Sequence, residues 1–164
     1  MYTVDLTGKN ALIFGVANHR SIAWAIAQAL YGAGARIGLT YQTERLKEGV
    51  QDLAKEIGDA PLFQCDVSND GEVEELYEKV GETMGSLSTV VHSIAFAHRD
   101  DLGGEFSKTD REGFRIALDV SAFSLLPVVR YAAPLMTEGG TVIAMTFLAA
   151  EKVFPGYNVM GVAK

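Results

Sequence analysis

A tyrosine and a lysine lie seven positions apart in the last segment of the sequence, YNVMGVAK, which runs from Tyr157 to Lys164. On an α-helix, seven residues turn the chain by about 700°, so both side chains would share one face about 10 Å apart along the axis. A phenol and an ammonium group on one face can act on one bound molecule. Because a partly exposed helix also carries such a pair without any chemistry, the rest of the chain has to decide between the two interpretations.

Composition and charge limit the class of protein. The chain has 164 residues, 48% of them hydrophobic, and a formal net charge of -7. We therefore expect a single domain, residues 1–164, and no nucleic acid or anionic membrane surface as the main partner. No apolar run approaches the roughly 20 residues that cross a bilayer, so neither export nor membrane insertion is expected. The single cysteine, Cys65, fits a reducing cytoplasm and ends an apolar run, so we expect it to pack rather than react.

Short apolar runs alternate with segments of helical periodicity along the chain. The apolar runs predict strands at residues 10–16, 35–41, 61–67, 87–97 and 140–147. The periodic segments predict helices at residues 21–35, 44–58, 70–85 and 110–136. This alternation predicts right-handed βαβ units and an α/β fold whose parallel sheet is covered by helices on both faces.

The first predicted strand-to-helix turn, FGVANHRSIAWAIA, is suited to a phosphate. Gly15 lets the chain turn tightly, while Ala17, Ser21 and Ala23 stay small where backbone must approach a pyrophosphate. Ser21 is expected to cap the following helix, whose unpaired amides and dipole attract anions. The pattern is not G-x-G-x-x-G, and a glycine turn before a capped helix is common without a ligand, so a purely structural role stays open.

The second and third predicted strands end in polar residues suited to an adenosine. An acidic residue usually binds the ribose of NAD there, whereas a 2′-phosphate needs a basic one. Gln42 is neutral and Glu44 would repel a phosphate, although Arg45 offsets that repulsion, so NADH is favoured over NADPH. Asp66 is placed to accept a hydrogen bond from an adenine amino group, and an ordinary turn or capping role is the alternative.

The fourth predicted strand ends in HSIAFA, where a nicotinamide ribose and a pyrophosphate would pass. Ser93, Ile94 and the small Ala95 are expected to line that path. The histidines of the chain lack the spacing of a metal site or a catalytic triad, so we assign them to structure or surface and expect no metal.

Six segments resemble, in order and separation, the bacterial type II enoyl-[acyl-carrier-protein] reductases, a divergent short-chain dehydrogenase/reductase family; they are GVANHRSIAWAIA, YQTE, CDV, HSIAFA, LDVSAFSL and YNVMGVAK. The Tyr-x6-Lys spacing is the most specific mark, since most members of the wider superfamily place the lysine four residues after the tyrosine. The resemblance covers the whole chain. It implies a Rossmann-like doubly wound sheet, NADH as cofactor, an enoyl thioester on acyl carrier protein as substrate, a homotetramer and a cytoplasmic location.

The resemblance also assigns individual residues. Those that would contact NADH are Gly15, Ser21, Ile22, Gln42, Asp66, Val67, Ile94 and Lys164. Ala97 would touch the substrate, Tyr157 would face the thioester carbonyl, and Lys164 would hold the nicotinamide ribose. The reaction implied is hydride transfer to the β-carbon of a trans-2-enoyl thioester and protonation at the α-carbon, with Tyr157 stabilising the negative charge on the thioester oxygen.

Two features depart from the family pattern. The family usually has a second tyrosine ten residues before the catalytic one, and here that position is Phe147, so the role of its hydroxyl is absent or reassigned, for example to Thr146. Family members also continue past the lysine. We therefore expect the C-terminal part of the fold to be missing, Lys164 to lie in a fraying last turn, and the chain as written to be poorly active.

Two other functions stay open at this point. A carbonyl reductase of the same superfamily would use a serine and a Tyr-x3-Lys arrangement, which is not found here. A sensor or assembly module that binds NADH without turnover is consistent with Phe147 and with the ending at Lys164.

Overall fold

The structure, a computed structural model, describes residues 4–164. Within that range the chain divides into two compact units. The first contains the residues up to Ser93 together with Pro127–Ala144, and the second contains Ile94–Leu126 and Met145–Lys164.

The first unit contains a parallel β-sheet. Its described strands are β1 (Asn10–Phe14), β2 (Arg36–Tyr41), β3 (Leu62–Gln64), β4 (Thr89–His92) and β5 (Thr141–Ala144), in the order β3-β2-β1-β4-β5. Ile13 in β1 lies opposite Leu39 in β2 and Val91 in β4. The predicted α/β parallel sheet is confirmed. The strands are shorter than predicted because apolar sequence continues beyond the residues that pair with a neighbouring strand.

Helices follow the first three strands. They are α1 (Ile22–Gly32), α2 (Glu44–Glu56) and α3 (Asp70–Met84), and they pack against β1, β2 and β3. In α2, Val50, Leu53 and Ala54 are buried, and Ile57 continues the same face just past the helix end. This spacing of three, four and seven residues places one apolar stripe against the sheet.

Burial differs between the centre and the edge of the sheet. In β1, residues Ala11 to Phe14 are at most 1% exposed, as expected for a strand covered on both faces. All four residues of β5 are exposed, including Val142 and Ile143. β5 is an edge strand of the described sheet, and it lacks the cover that β1 has at the centre.

The second unit is mainly helical. Its regular elements are α4 (Arg111–Leu118), a π-helical turn (Asp119–Phe123), the first two residues of α5 (Leu125–Ala132), and α6 (Asn158–Ala163). The Asp110 carboxylate caps α4 by accepting from the amides of Glu112 and Gly113, at 2.9 and 3.3 Å. Helix α6 packs against α4 and the π-helical turn.

The predicted continuous helix at 110–136 is interrupted. The amide of Ser124 donates to the carbonyl of Asp119, five residues back, at 3.0 Å, which is the hydrogen bond of a π turn. Pro127 has no amide hydrogen, so it cannot supply the usual bond to the carbonyl of Phe123. A 3-10 turn, Ala133–Leu135, ends the helical region.

This helical region is as long as the sequence predicts, and it is apolar enough to change one expectation. Arg111–Leu135 runs for 25 residues and contains a window of mean hydropathy 1.4, which by length and composition is enough to cross a membrane. The expectation that no apolar run approaches 20 residues is therefore wrong. Core helices of soluble proteins meet the same criteria, so length and composition alone assign no membrane location.

The close approach of Gly15 to Ser93 gives a first prediction. Gly15 has φ +94°, and a Cβ built on it collides with the carbonyl of Ser93. We expect Gly15→Ala to lower the free energy of unfolding by about 2 to 4 kcal/mol, through left-handed strain and overpacking together. Urea unfolding followed by circular dichroism measures this change.

Two other glycines serve as controls. Gly8 also has a positive φ, +76°, but within residues 4–164 no neighbouring atom lies within 4 Å of its added Cβ; Gly49 in α2 is equally open and has no positive φ. Gly8→Ala should cost about 1 kcal/mol, and Gly49→Ala should stabilise by up to about 1 kcal/mol. A Gly15→Ala protein as stable as the Gly8→Ala protein would contradict the close approach.

Candidate functional site

The carboxyl ends of the parallel strands form one rim of the first unit. From β1 the chain adds β2 and β3 on one side and then returns to place β4 on the other. Gly15 follows β1, and Ser93 follows β4, so these two residues lie where the strand order reverses. Open α/β sheets bind ligands in the crevice at such a point.

The turn after β1 is held by Ser21. Ser21 occupies the N-cap position of α1 with extended backbone angles, as predicted, but its hydroxyl makes no bond to the helix. Instead its oxygen accepts from the amides of Ala17 and Asn18, both at 3.1 Å. The expected capping bond is therefore wrong: the hydroxyl closes the preceding turn, which brings those two amides within its reach. Within the described residues α1 begins without a side-chain cap, which suits an anion.

Gln42 and Asp66 lie beyond the ends of β2 and β3 and contact each other. The Gln42 amide donates to one oxygen of Asp66 at 3.0 Å, and the amide and hydroxyl of Ser68 donate to the other at 3.0 and 2.7 Å. Burial disfavours the Asp66 carboxylate, but the hydrogen bonds from Ser68 and Gln42 outweigh it and lower the pKa of Asp66. Sequence reasoning placed both residues at the adenosine end but did not foresee that they form one pair.

The charge near Gln42 is smaller than the sequence suggested. Lys47 forms an ion pair with Glu44 at 3.2 Å. This partner offsets part of the repulsion that Glu44 would exert on a ribose phosphate.

Two further residues expected to contact a cofactor differ in exposure. Ile22, the first residue of α1, is 65% exposed, so its side chain is available to a ligand. Val67 is 7% exposed, so its side chain belongs mainly to the core. A ligand could therefore contact mainly the backbone of Val67.

Lys164 is the most strongly anchored of the predicted site residues in the second unit. Its Nζ donates to the carbonyl of Ile94 at 2.6 Å and to that of Ser121 at 3.0 Å. The side chain is half-buried, and burial lowers the pKa of Lys164. The Thr146 hydroxyl donates to the Lys164 carbonyl at 3.1 Å. The expected fraying at Lys164 is therefore wrong, since side chain and backbone are both held.

Tyr157 stands at the other end of the same helix. Its carbonyl accepts the first helical bond, from Met160 at 2.7 Å, and the last runs from the Lys164 amide to Met160 at 3.1 Å. The helix predicted from Tyr157 to Lys164 is thus present, with the two residues as its N-cap and C-cap. The neighbouring Asn158 has φ +27°, and its side-chain amide donates to the Gly103 carbonyl at 2.9 Å.

Tyr157 is 45% exposed, and its ring lies beside two other aromatic rings. Its centroid is 5.4 Å from that of Phe147 and 6.3 Å from that of Phe154. Phe147 therefore retains a packing role in place of the family's second tyrosine. The proposed replacement of that tyrosine's hydroxyl by Thr146 fits poorly, because the Thr146 hydroxyl is bonded to backbone.

A cavity of about 330 Å³ borders the Tyr157 ring within the second unit. Other side chains lining it include Phe106, Val153 and Phe154. Its walls are partly aromatic and apolar, which suits a small apolar group.

Ser121 is a residue that sequence reasoning missed. It is 3% exposed, and its hydroxyl accepts from the Phe96 amide and donates to the Phe96 carbonyl, both at 2.9 Å. These bonds hold the segment that contains Ile94 and the half-buried Ala97. The segment LDVSAFSL carries part of the family resemblance, but the sequence alone indicates no role for its first serine.

The remaining titratable candidates have structural positions. Cys65 is buried, and burial together with nearby Glu72 and Asp66 raises its pKa to about 12, which fits a packing role. His92 is buried in β4, whereas His19 and His98 are exposed. Among residues 4–164 no group of three or more His, Cys, Asp or Glu side chains is arranged to hold a metal ion.

Comparison with known proteins gives close relatives. The chain is 45% identical over 164 residues to the enoyl-[acyl-carrier-protein] reductase [NADH] FabI of Nostoc sp., covering 98% of this chain and 64% of the relative. It is 47% identical over 162 residues to the Bacillus subtilis enzyme of the same name, covering 98% and 63%. It is 44% identical over 163 residues to a Staphylococcus aureus enzyme named as using NADPH, covering 98% and 64%.

Solved structures show the same relationship. The Bacillus cereus enoyl-acyl carrier protein reductase with NADP+ and indole naphthyridinone matches with TM-score 0.95 and 47% identity, covering 98% of this chain and 63% of that one. The Aquifex aeolicus enzyme named as using NADH matches with TM-score 0.94 and 44% identity, covering 97% and 63%. The predicted fold class and the resemblance are confirmed.

The chain thus spans just under two thirds of the length of these relatives. The family model described as enoyl-(acyl carrier protein) reductase matches residues 15–164. Nearly all of the chain is included in that match, and the chain belongs to the enoyl-(acyl carrier protein) reductase family.

Proposed function

We propose that this chain reduces trans-2-enoyl thioesters carried on acyl carrier protein, with NADH, as a step of type II fatty-acid synthesis. The observation that carries the proposal is the anchoring of the Lys164 ammonium on the Ile94 carbonyl, at the far end of the helix that begins after Tyr157. The names of the relatives support an enoyl reductase and do not favour a carbonyl reductase.

The residues at the rim fit a dinucleotide. At Gly15 the backbone leaves no room for a Cβ, and the uncapped start of α1 offers amide hydrogens to a pyrophosphate. Gln42 would meet the adenosine ribose, and Asp66 would accept from the adenine amino group. Ser21 would act by holding the turn, and Ile22 by its exposed side chain.

Lys164 would bind the nicotinamide ribose. An ammonium group has three N–H donors, and two of them are occupied by the carbonyls of Ile94 and Ser121. The third is the donor proposed to meet a ribose hydroxyl. Because the first two bonds fix the nitrogen, the third has a defined direction before any ligand binds.

Tyr157 would act on the thioester. NADH, when bound, supplies the hydride for the β-carbon. As negative charge develops on the thioester oxygen, the Tyr157 phenol donates a hydrogen bond to it, and this bond strengthens in the transition state. Phe147 and Phe154 pack beside the phenol and would limit its rotation. Ala97 is small enough to leave space for an acyl chain.

Cofactor choice rests on Gln42. Its neutral amide suits a free ribose hydroxyl, and its bond to Asp66 holds a negative charge beside the place where a 2′-phosphate would lie. NADH is therefore proposed over NADPH, although the Staphylococcus aureus relative is named for NADPH.

The location, partner and oligomeric state that we propose follow from the family and from the net charge of the chain. They are a cytoplasmic location, acyl carrier protein as the carrier of the substrate, and a homotetramer. The net charge of -7 supports the absence of nucleic acid and anionic membranes as partners.

The first functional prediction concerns the tyrosine. Tyr157→Phe should lower kcat about 10²- to 10³-fold, because one hydrogen bond to the developing oxyanion is lost. The assay follows NADH absorbance with crotonyl thioester as substrate. Tyr31→Phe is the control, since Tyr31 is similarly exposed, 43% against 45%, and lies in α1.

Three outcomes separate the alternatives. Consumption of NADH by the parent and loss of that activity in Tyr157→Phe support the proposal. Binding of NADH without consumption supports the sensor. Equal rates for the parent and Tyr157→Phe contradict the role of the phenol.

The second functional prediction concerns the cofactor. The parent should bind NADH about tenfold more tightly than NADPH, and Gln42→Arg should reverse this preference because a guanidinium pairs with the 2′-phosphate. Nicotinamide fluorescence measures both dissociation constants. Gln51→Arg, on the exposed face of α2, adds the same charge away from the rim and should leave the ratio unchanged. A parent that prefers NADPH would contradict the assignment.

A further inference from the structure

Ser121 lies at the centre of the π-helical turn between α4 and α5. The turn spans Asp119–Phe123, and Ser121 is 3% exposed there. A π turn gives up regular helical bonding, and such turns occur frequently at functional sites. In this turn both the hydroxyl and the carbonyl of Ser121 bond to residues outside the helical region.

The hydroxyl satisfies both backbone polar groups of Phe96. The Phe96 amide donates to it at 2.9 Å, and it donates to the Phe96 carbonyl at 2.9 Å. Strand β4 has already ended at His92, so no ladder bonds are available to Phe96 from that strand. The Ser121 side chain thus does for Phe96 what a neighbouring strand would do, and it ties the backbone of Phe96 to the π-helical turn.

The carbonyl of Ser121 acts on a different partner. It accepts from Lys164 Nζ at 3.0 Å, while the Ile94 carbonyl accepts from the same nitrogen at 2.6 Å. One of these acceptors is Ser121 itself, and the other lies in the segment that the Ser121 hydroxyl holds. Loss of the two Ser121 hydroxyl bonds would therefore shift the Ile94 carbonyl relative to the Ser121 carbonyl, and these are the two acceptors of the Lys164 ammonium.

We propose that Ser121 is a positioning residue for the reductase site: its hydroxyl aligns the segment from Ile94 to Ala97 and thereby sets where the Lys164 ammonium points. This inference rests on the proposed function, in which Lys164 binds the nicotinamide ribose. Ser121 itself touches neither cofactor nor substrate; it acts through Phe96 and Lys164.

The test compares two serines in the same helical region. Ser124 is also buried, and one of its hydroxyl bonds is donated to the Val120 carbonyl in the π-helical turn, at 2.7 Å. Ser121→Ala should weaken NADH binding about tenfold, as expected for loss of buried hydrogen bonds that fix a binding group, and should speed hydrogen exchange of the Phe96 amide. Ser124→Ala should change the NADH dissociation constant less than about twofold. Ser121→Thr keeps a hydroxyl and should restore most of the affinity.

The outcomes distinguish this inference from the proposed function. If Ser121→Ala weakens NADH binding no more than Ser124→Ala does, the inference is overturned while the function stands. If the parent binds no NADH, the proposed function fails. The Lys164 ammonium signal in ¹⁵N NMR then tests the positioning role of Ser121 without any ligand. Faster proton exchange at Lys164 Nζ in Ser121→Ala, but not in Ser124→Ala, supports the positioning role, and an unchanged signal overturns it.

Discussion

The second unit depends on one interaction, in which the half-buried Lys164 ammonium donates to two backbone carbonyls instead of to water. Lys164 can leave solvent only because the carbonyls of Ile94 and Ser121 accept its protons. These three residues come from the end of α6, the segment after β4 and the π-helical turn. The ammonium thereby ties together three stretches that are distant in sequence, and it retains one donor for a ligand.

The first unit depends on a different constraint, the close approach of backbone at the reversal of strand order. Gly15 can follow β1 there because it has no Cβ to meet the carbonyl of Ser93. The same turn is closed by the Ser21 hydroxyl, which leaves the start of α1 uncapped. One local arrangement thus has two consequences. The Ser21 side chain holds the turn, and the first amides of α1 stay open to an anion.

Periodicity in the sequence is sufficient to predict the strands and helices, but it does not predict the hydrogen bonds that their side chains make. The order of strands and helices, the buried stripe of α2 and the positive φ of Gly15 follow from apolar spacing and from local sterics, which act over a few residues. The direction of the Ser21 hydroxyl depends on the geometry of the turn before α1. The exposure of β5 and the role of Ser121 depend on which residues the tertiary fold brings close to them. Ser121 is the clearest case, because its partners Phe96 and Lys164 lie 25 and 43 residues away.

Nuclear magnetic resonance of the Lys164 ammonium tests the central claim most directly. In ¹⁵N-labelled protein, the account predicts a slowly exchanging Lys164 Nζ signal that shifts on titration with NADH and stays in place with AMP, which lacks the nicotinamide ribose. A Lys164 signal that exchanges as fast as those of the exposed lysines and ignores NADH would contradict the account.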